Sequence, residues 1–285
     1  MQTLLMNRPL LPKLIITAAL SLGLSVSASA SVLKPSTNLS SSFTSSQNSS
    51  FNANRVLAEQ GDAEAQYELA LDYDEQEDYI QSAKWYRKAA NQGYAEAQYN
   101  LAWMYSHGQG MPQNYEQARK WYLKAANQGD SDAQFNLGIY YDEGKGVPVD
   151  HAKAAEWYRK AADQGDADAQ YNLGVAYDEG EGVKQSHTKA VELYRKAAEQ
   201  GHATAQYNLA VSYDEGEGVP QSKAQAFRWY TASAEQDYVD AQFNLALMYY
   251  NGEGIRQDND KAKEWFGIAC DNGDLPSCKE YKNLD

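Results

Sequence analysis

Basic clusters, long apolar runs and cysteine are all scarce in this chain, and each scarcity removes a class of function. Lys and Arg number 25 against 39 Asp and Glu, a formal charge of −14. Binding a polyanion requires clustered Lys and Arg to displace its counterions. No such cluster exists, so nucleic acid and anionic membrane surfaces are poor partners, and basic proteins or cationic ligands are better ones. After Val26 no stretch approaches the roughly 20 apolar residues of a membrane helix. The four histidines, His107, His151, His187 and His202, are read as falling in different columns of the pattern described below, hence as surface residues without a metal constellation. The Gly-x-Gly elements lie between helical segments rather than after a strand, which excludes a phosphate-cradling loop. Nothing marks a Ser/His/Asp set. The expectation is therefore no catalytic residue, no metal and no cofactor.

The N-terminus does not belong to the fold. Arg8 and Lys13 precede an apolar run from Leu14 to Val26, followed by small residues ending Ala28-Ser29-Ala30. That order predicts a secretory signal cleaved after residue 30. The mature protein is thus expected to be exported, to the bacterial periplasm or the extracellular space, with no integral membrane segment left. Residues 31–54 are rich in Ser, Asn and Thr and lack apolar periodicity, which predicts a disordered linker. The folded part is expected over residues 55–285.

What the chain does contain is a repeat. The Ala of each Ala-Gln-aromatic triplet stands at Ala65, Ala97, Ala133, Ala169, Ala205 and Ala241, a spacing of 36 residues after a first interval of 32. Periods of this length signal stacked supersecondary units. In the first half of a unit, Ala133, Leu137, Gly138 and Tyr141 form one helical stripe. In the second half, Ala154, Trp157, Tyr158, Ala161 and Ala162 form another. Seven residues before each Trp or its Leu193 equivalent sit Asp78, Asn114, Asp150, Ser186, Ser222 and Asp258, all of N-cap type. After each second helix comes Gly61, Gly93, Gly129, Gly165, Gly201 or Gly273, suited to a left-handed helix end; Asp237 replaces the glycine once. The shorter first interval is a four-residue deletion between the helices. Val56–Gly61 reads as an N-terminal cap and 275–284 as a truncated first helix.

Ala-Gln-Tyr-Asn-Leu-Gly, Tyr, Gly-x-Gly-Val, Lys-Ala, Lys-Ala-Ala and Gln-Gly, as they stand in Ala169–Gly201 and, with Phe135 for the first Tyr and with Trp-Tyr, in Ala133–Gly165, closely resemble the Sel1-like repeat, a relative of the tetratricopeptide class. The resemblance runs from about Val56 to the C-terminus in six units. It implies an all-α, right-handed α-solenoid superhelix of antiparallel helix pairs, acting as a protein–protein adaptor or scaffold in the bacterial envelope or at the host interface. The two cysteines are compatible with a disulfide or with two buried thiols. Cys270-Asp271-Asn272-Gly273-Asp274-Leu275-Pro276-Ser277-Cys278 is similar to the staple of the Helicobacter cysteine-rich proteins, which implies a Cys270–Cys278 bridge. That group carries one pair per repeat, whereas this chain has one pair in all. The group's link to β-lactam binding or hydrolysis supplies the alternative, enzymatic reading.

Two sets of residues are candidates for partner binding. Tyr-Asp-Glu recurs, placing Asp142, Glu143, Asp178, Glu179, Asp214 and Glu215, with Glu181 and Glu217 in the following loops, on an acidic ladder. Like charges near a helix C-terminus are locally unfavourable, so the ladder is either a strip for a basic partner or a solvated edge. A second column, three after each Leu of the first helix, varies most: Asp72, Met104, Tyr140, Ala176, Ser212 and Met248. Met104, Tyr140 and Met248 are anchors if it lines a concave face, and core residues if it is buried under the next repeat. The Gln66, Gln98, Gln134, Gln170, Gln206 and Gln242 column is read as hydrogen bonds holding repeats in register.

Overall fold

The computed structural model describes residues 54–284; the expected signal and nearly all of the expected linker lie outside the described residues. Among these, every regular element is a helix. Residues 54–59 form α1. It is followed by α2 (Ala63–Glu75), α3 (Tyr79–Asn91), α4 (Ala95–His107), α5 (Tyr115–Asn127), α6 (Ser131–Glu143), α7 (His151–Asp163) and α8 (Ala167–Glu179), then α9 (His187–Glu199), α10 (Ala203–Glu215), α11 (Lys223–Ala234), α12 (Val239–Asn251), α13 (Asn259–Asp271) and α14 (Leu275–Asn283). Two compact units divide them, one ending at Val149 and the other beginning at Asp150. Within each, consecutive helices pack in sequence, α2 on α3 on α4 on α5 on α6 in the first and α7 through α14 in the second. The architecture is an all-α solenoid of antiparallel helix pairs.

Local chemistry sets the boundaries. The side chains of Asp78, Asn114, Asp150, Ser186, Ser222 and Asp258 each accept the amide three residues on, as the spacing predicts for N-caps. First helices use two devices. Asp62, Asp130, Asp166 and Asp274 cap in the same way, whereas Tyr94 and Tyr238 make no cap bond and lay a ring against Tyr67 and Tyr207, each at 5.1 Å between centroids. His202 does both, accepting the Ala205 amide and stacking on Tyr171 at 4.7 Å. Asp237, in the glycine position, takes φ 61°. It completes the left-handed helix end without glycine.

The core follows from the two stripes. Leu69, Leu101, Leu137, Leu209 and Leu245 are wholly inaccessible, as are or nearly are Tyr86, Tyr122, Tyr194 and Tyr230, the residue after each Trp, Leu193 or Trp229. Small residues on the second helices, Ala89, Ala125, Ala161 and Ala197, let the helix pairs approach closely. Burying each Leu or aromatic contributes roughly 1.5–3 kcal/mol, and most of that burial needs a neighbouring pair.

The glutamine column ties three helices at once. Gln98 donates to the carbonyl of Ala90, in the helix before it, and accepts from Gln128 at the end of the helix after it. Gln66, Gln170, Gln206 and Gln242 make the same pair of bonds, with Asn272 as the donor to Gln242. At about 1 kcal/mol net per bond, these serve register as the sequence suggests. Asn100, Asn208 and Asn244 meet core tyrosines, standing beside Tyr86, Tyr194 and Tyr230 respectively.

Cys270 and Cys278 are joined, with Cα atoms 4.6 Å apart. Cys270 is on α13 and Cys278 on α14, so the bridge fastens the last, short helix to its neighbour. Among the described residues no helix is long and apolar enough to cross a membrane.

Candidate functional site

Each Gly-x-Gly loop, between a first and a second helix, rests on the start of the preceding second helix. A Cβ on Gly182 would collide with the backbone of His151 at the start of α7, and Gly182 also has φ +68°. Gly218 meets His187 at the start of α9, and Gly254 meets Lys223 at the start of α11. This backbone contact brings the acidic residue of the later loops onto the first residue of the preceding second helix, Glu217 onto His187 and Glu253 onto Lys223.

Two charge clusters result. His187 donates through Nδ1 to Asp178 Oδ1 at 2.8 Å, and its Nε2 lies 3.3 Å from Glu217 Oε1. Asp178 is 6% exposed and also accepts from the Tyr194 hydroxyl at 3.4 Å. One repeat later, Lys223 Nζ stands 2.6 Å from Asp214 and 2.8 Å from Glu253. Burial lowers the Lys223 pKa, but its bonds to Asp214 and Glu253 outweigh that and hold it above the ordinary lysine value. In both places a nitrogen base sits between a carboxylate of its own repeat and one from the next loop. The base at each place clasps two repeats, and the Lys223 ammonium neutralises two acids as it does so.

The histidine expectation is therefore corrected. His151 and His187 stand 36 residues apart in one column, each the first residue of a second helix. Ligand atoms of Asp178, His187 and Glu217 lie within 4.8 Å of one another, so this trio could hold a metal ion. The signal was present in the sequence as an Asp nine residues before the base and a Glu thirty after it, repeated at Asp214, Lys223 and Glu253. His202 is an N-cap whose Nδ1 accepts from the Ala205 amide at 3.1 Å.

The acidic ladder splits. Its aspartates Asp178 and Asp214 turn inward to the two clasps, and Asp74, in the first Tyr-Asp-Glu triplet, accepts from the Tyr86 hydroxyl at 3.0 Å. Two of its glutamates turn outward. Glu179 and Glu215 are exposed, Asp142 and Glu143 are partly exposed, and Glu143 pairs with Lys145 at 2.6 Å. Adjacent residues on a helix point about a quarter-turn or more apart, so one triplet serves both interior and surface.

Met104, Tyr140 and Met248 do not line a surface. They are 1, 2 and 4% exposed, and the anchoring expectation is corrected to a core role. Tyr140 reaches back to the preceding repeat: its hydroxyl donates to Ser106 Oγ at 2.8 Å and its ring meets Tyr122 edge-on at 5.5 Å. Met248 packs with Tyr207, Val211 and Tyr230 of the repeat before it.

The fold and these surfaces define a class, the helical-repeat proteins that present stacked pairs for protein recognition. Six consecutive matches to the Sel1 repeat cover residues 63–94, 95–130, 131–166, 167–202, 203–238 and 239–274, and the chain belongs to the Sel1 repeat family. It is similar in structure to c5321, a protective antigen of uropathogenic Escherichia coli strains with an SLR fold, at TM-score 0.80 and 39% identity over 82% of this chain and 51% of that one. The chain thus spans about half the length of that relative. A Sel1 repeat protein from Oxalobacter formigenes matches at TM-score 0.69 and 33% identity, covering 77% of this chain and 87% of the other. A search of curated proteins gave no match.

Proposed function

We infer that this protein is an exported adaptor that recognises a protein partner with a basic surface, in the bacterial envelope or at the host interface. The observation that carries the reading is the division of the acidic ladder. Asp178 and Asp214 are consumed by the clasps, whereas Glu179 and Glu215 remain exposed on a chain with formal charge −14. Such a field raises the encounter rate with basic partners and makes association salt-sensitive. The description of the 39%-identical E. coli protein as a protective antigen supports contact with a host. The leader-like N-terminus supports export.

The test is a pull-down with residues 31–285 against periplasmic extract and against host extracellular proteins, at low and high salt, repeated with Glu143→Gln, Glu179→Gln and Glu215→Gln combined. A partner that is captured at low salt, released by high salt and lost with the combined variant is expected. Capture that is indifferent to both salt and variant would refute the charge-guided reading.

A further inference from the structure

Binding differences between repeats are best sought where one repeat departs from the others, and one departure runs against the charge of the whole molecule. A groove of about 540 Å³ lies among α7, α8, α9 and the loop between the last two, lined by Arg159, Tyr177, Val183, Lys184, Gln185, Ser186 and Lys189. Its volume falls within the range of small-ligand sites. All of its charged lining residues are cations. Among the described residues no carboxylate is paired with Arg159, Lys184 or Lys189. Arg159 instead donates to the Tyr177 hydroxyl at 3.1 Å, and the Lys189 ammonium lies 4.8 Å from the centre of the Tyr177 ring.

The same four columns in the other repeats do not give this set. In place of Arg159, Tyr177, Lys184 and Lys189 stand Arg87, Tyr105, Pro112 and Gln117 in one repeat and Arg195, Tyr213, Pro220 and Gln225 in another. A further repeat puts Leu123 at the arginine place and Pro148 at the lysine place, and the last puts Thr231 where Arg159 stands. Only one groove combines all three cations. Solvation of an acidic protein does not require this. Three unpaired cations on one short concavity repel one another, and a ligand anion relieves that repulsion.

We propose that this groove binds a carboxylate-bearing peptide segment. Arg159 supplies a planar fork that matches a carboxylate, and Lys184 and Lys189 supply point charges on either side. Ser186 opens α9, whose first amides add positive partial charge. Tyr177 and Val183 form an apolar wall against which the peptide's backbone and aliphatic carbons lie. The partner segment is then an acidic side chain on an otherwise basic or neutral protein, because the remainder of this molecule repels anions. A free inorganic anion would use the cations but not the wall.

The experiment measures fluorescence anisotropy of a labelled Gly-Glu-Glu-Gly amide on the full folded chain, with the Gln-for-Glu peptide as control and inorganic phosphate as competitor. The glutamate peptide is expected to bind at least about tenfold more tightly than its glutamine analogue, and Arg159→Gln with Lys189→Gln to weaken it by about tenfold or more. Lys184→Pro restores the residue of three other repeats, so it keeps the fold and is expected to weaken binding severalfold. Arg195→Gln, one repeat on, is expected to leave binding unchanged. Equal binding of both peptides, no saturable binding at millimolar peptide, or indifference to Lys184→Pro and the double variant would overturn the proposal. Displacement by phosphate at concentrations below those of the peptide would overturn the peptide assignment in favour of a free anion.

Discussion

Raising the pH should unfold this protein through its tyrosines. Burial is the leading cause that holds Tyr140 and Tyr238 at about 12, with Tyr115 and Glu143 adding to it at the first and Asp240 at the second. Tyr86, Tyr122, Tyr194 and Tyr230 are likewise pushed well above the ordinary tyrosine value, first by burial and then by neighbours such as Asp74, Tyr99, Asp178 and Asp214. In an unfolded chain tyrosine ionises near 10. Above that pH the unfolded state sheds protons that the folded state keeps, so stability, full below about pH 10, is lost as pH rises through the folded pKa. At about pH 11 a tyrosine held at about 12 in the fold, as Tyr140 is, costs about 1.4 kcal/mol. Three of these tyrosines lie in each compact unit, and losses of this kind add up against the roughly 5–15 kcal/mol typical of a domain.

The assay is urea unfolding followed by circular dichroism at about pH 8, 10 and 11 and constant ionic strength, with tyrosinate absorbance recorded in parallel. Tyrosinate should appear together with loss of helix. Lysines also deprotonate in this range, so Tyr140→Phe isolates the effect: it loses the bond to Ser106, and its stability deficit near neutral pH should shrink by about 1.4 kcal/mol at about pH 11. Full tyrosine ionisation near pH 10 with an unmoved urea midpoint would refute the reasoning.

Two further outcomes follow from the backbone and the bridge. Gly182→Ala, with φ +68° and a new Cβ driven into the His151 backbone, should cost about 3 kcal/mol or more, whereas Gly165→Ala, with φ +100° and open space around it, should cost only about 1–2 kcal/mol by thermal unfolding. Equal losses at the two sites would mean that the loop does not rest on the preceding helix. Cys270→Ser should free α14 with a loss of about 2–3 kcal/mol confined to that end, visible as faster amide exchange in α14 and unchanged exchange in α8–α10; slowed or unchanged exchange in α14 would refute it.

The repeat, its helix limits and its caps were legible because they rest on rules that act within a few residues. Asp150 accepts the Lys153 amide for reasons that any N-cap shares, and Asp237 adopts a positive φ because Asp tolerates it. The candidate site was only half legible. Met104, Tyr140 and Met248 were marked by their variability, which indicates either a recognition surface or a core that repacks from repeat to repeat. Side-chain direction decides between these, and period alone does not carry it. The clasps were missed for a different cause: Glu217 lies thirty residues after His187 and meets it and Asp178 only through a loop seated on the preceding repeat.

That seating explains why one element can serve two purposes. The Gly-x-Gly loop is fixed by its backbone against the start of the preceding second helix, so the intervening side chain is not needed for the fit. It is Gln109, Lys145, Glu181, Glu217 or Glu253 in turn. The residue beneath it varies as well, from Tyr79 and Tyr115 through His151 and His187 to Lys223. Where the two are of opposite charge they clasp, as Lys223 does with Glu253. Stacking therefore survives substitution at these positions, and the positions are left open to carry charge that a partner can read. The exposed glutamates and the groove at Arg159 both border these loops, so selection on recognition can act there with little cost to the fold.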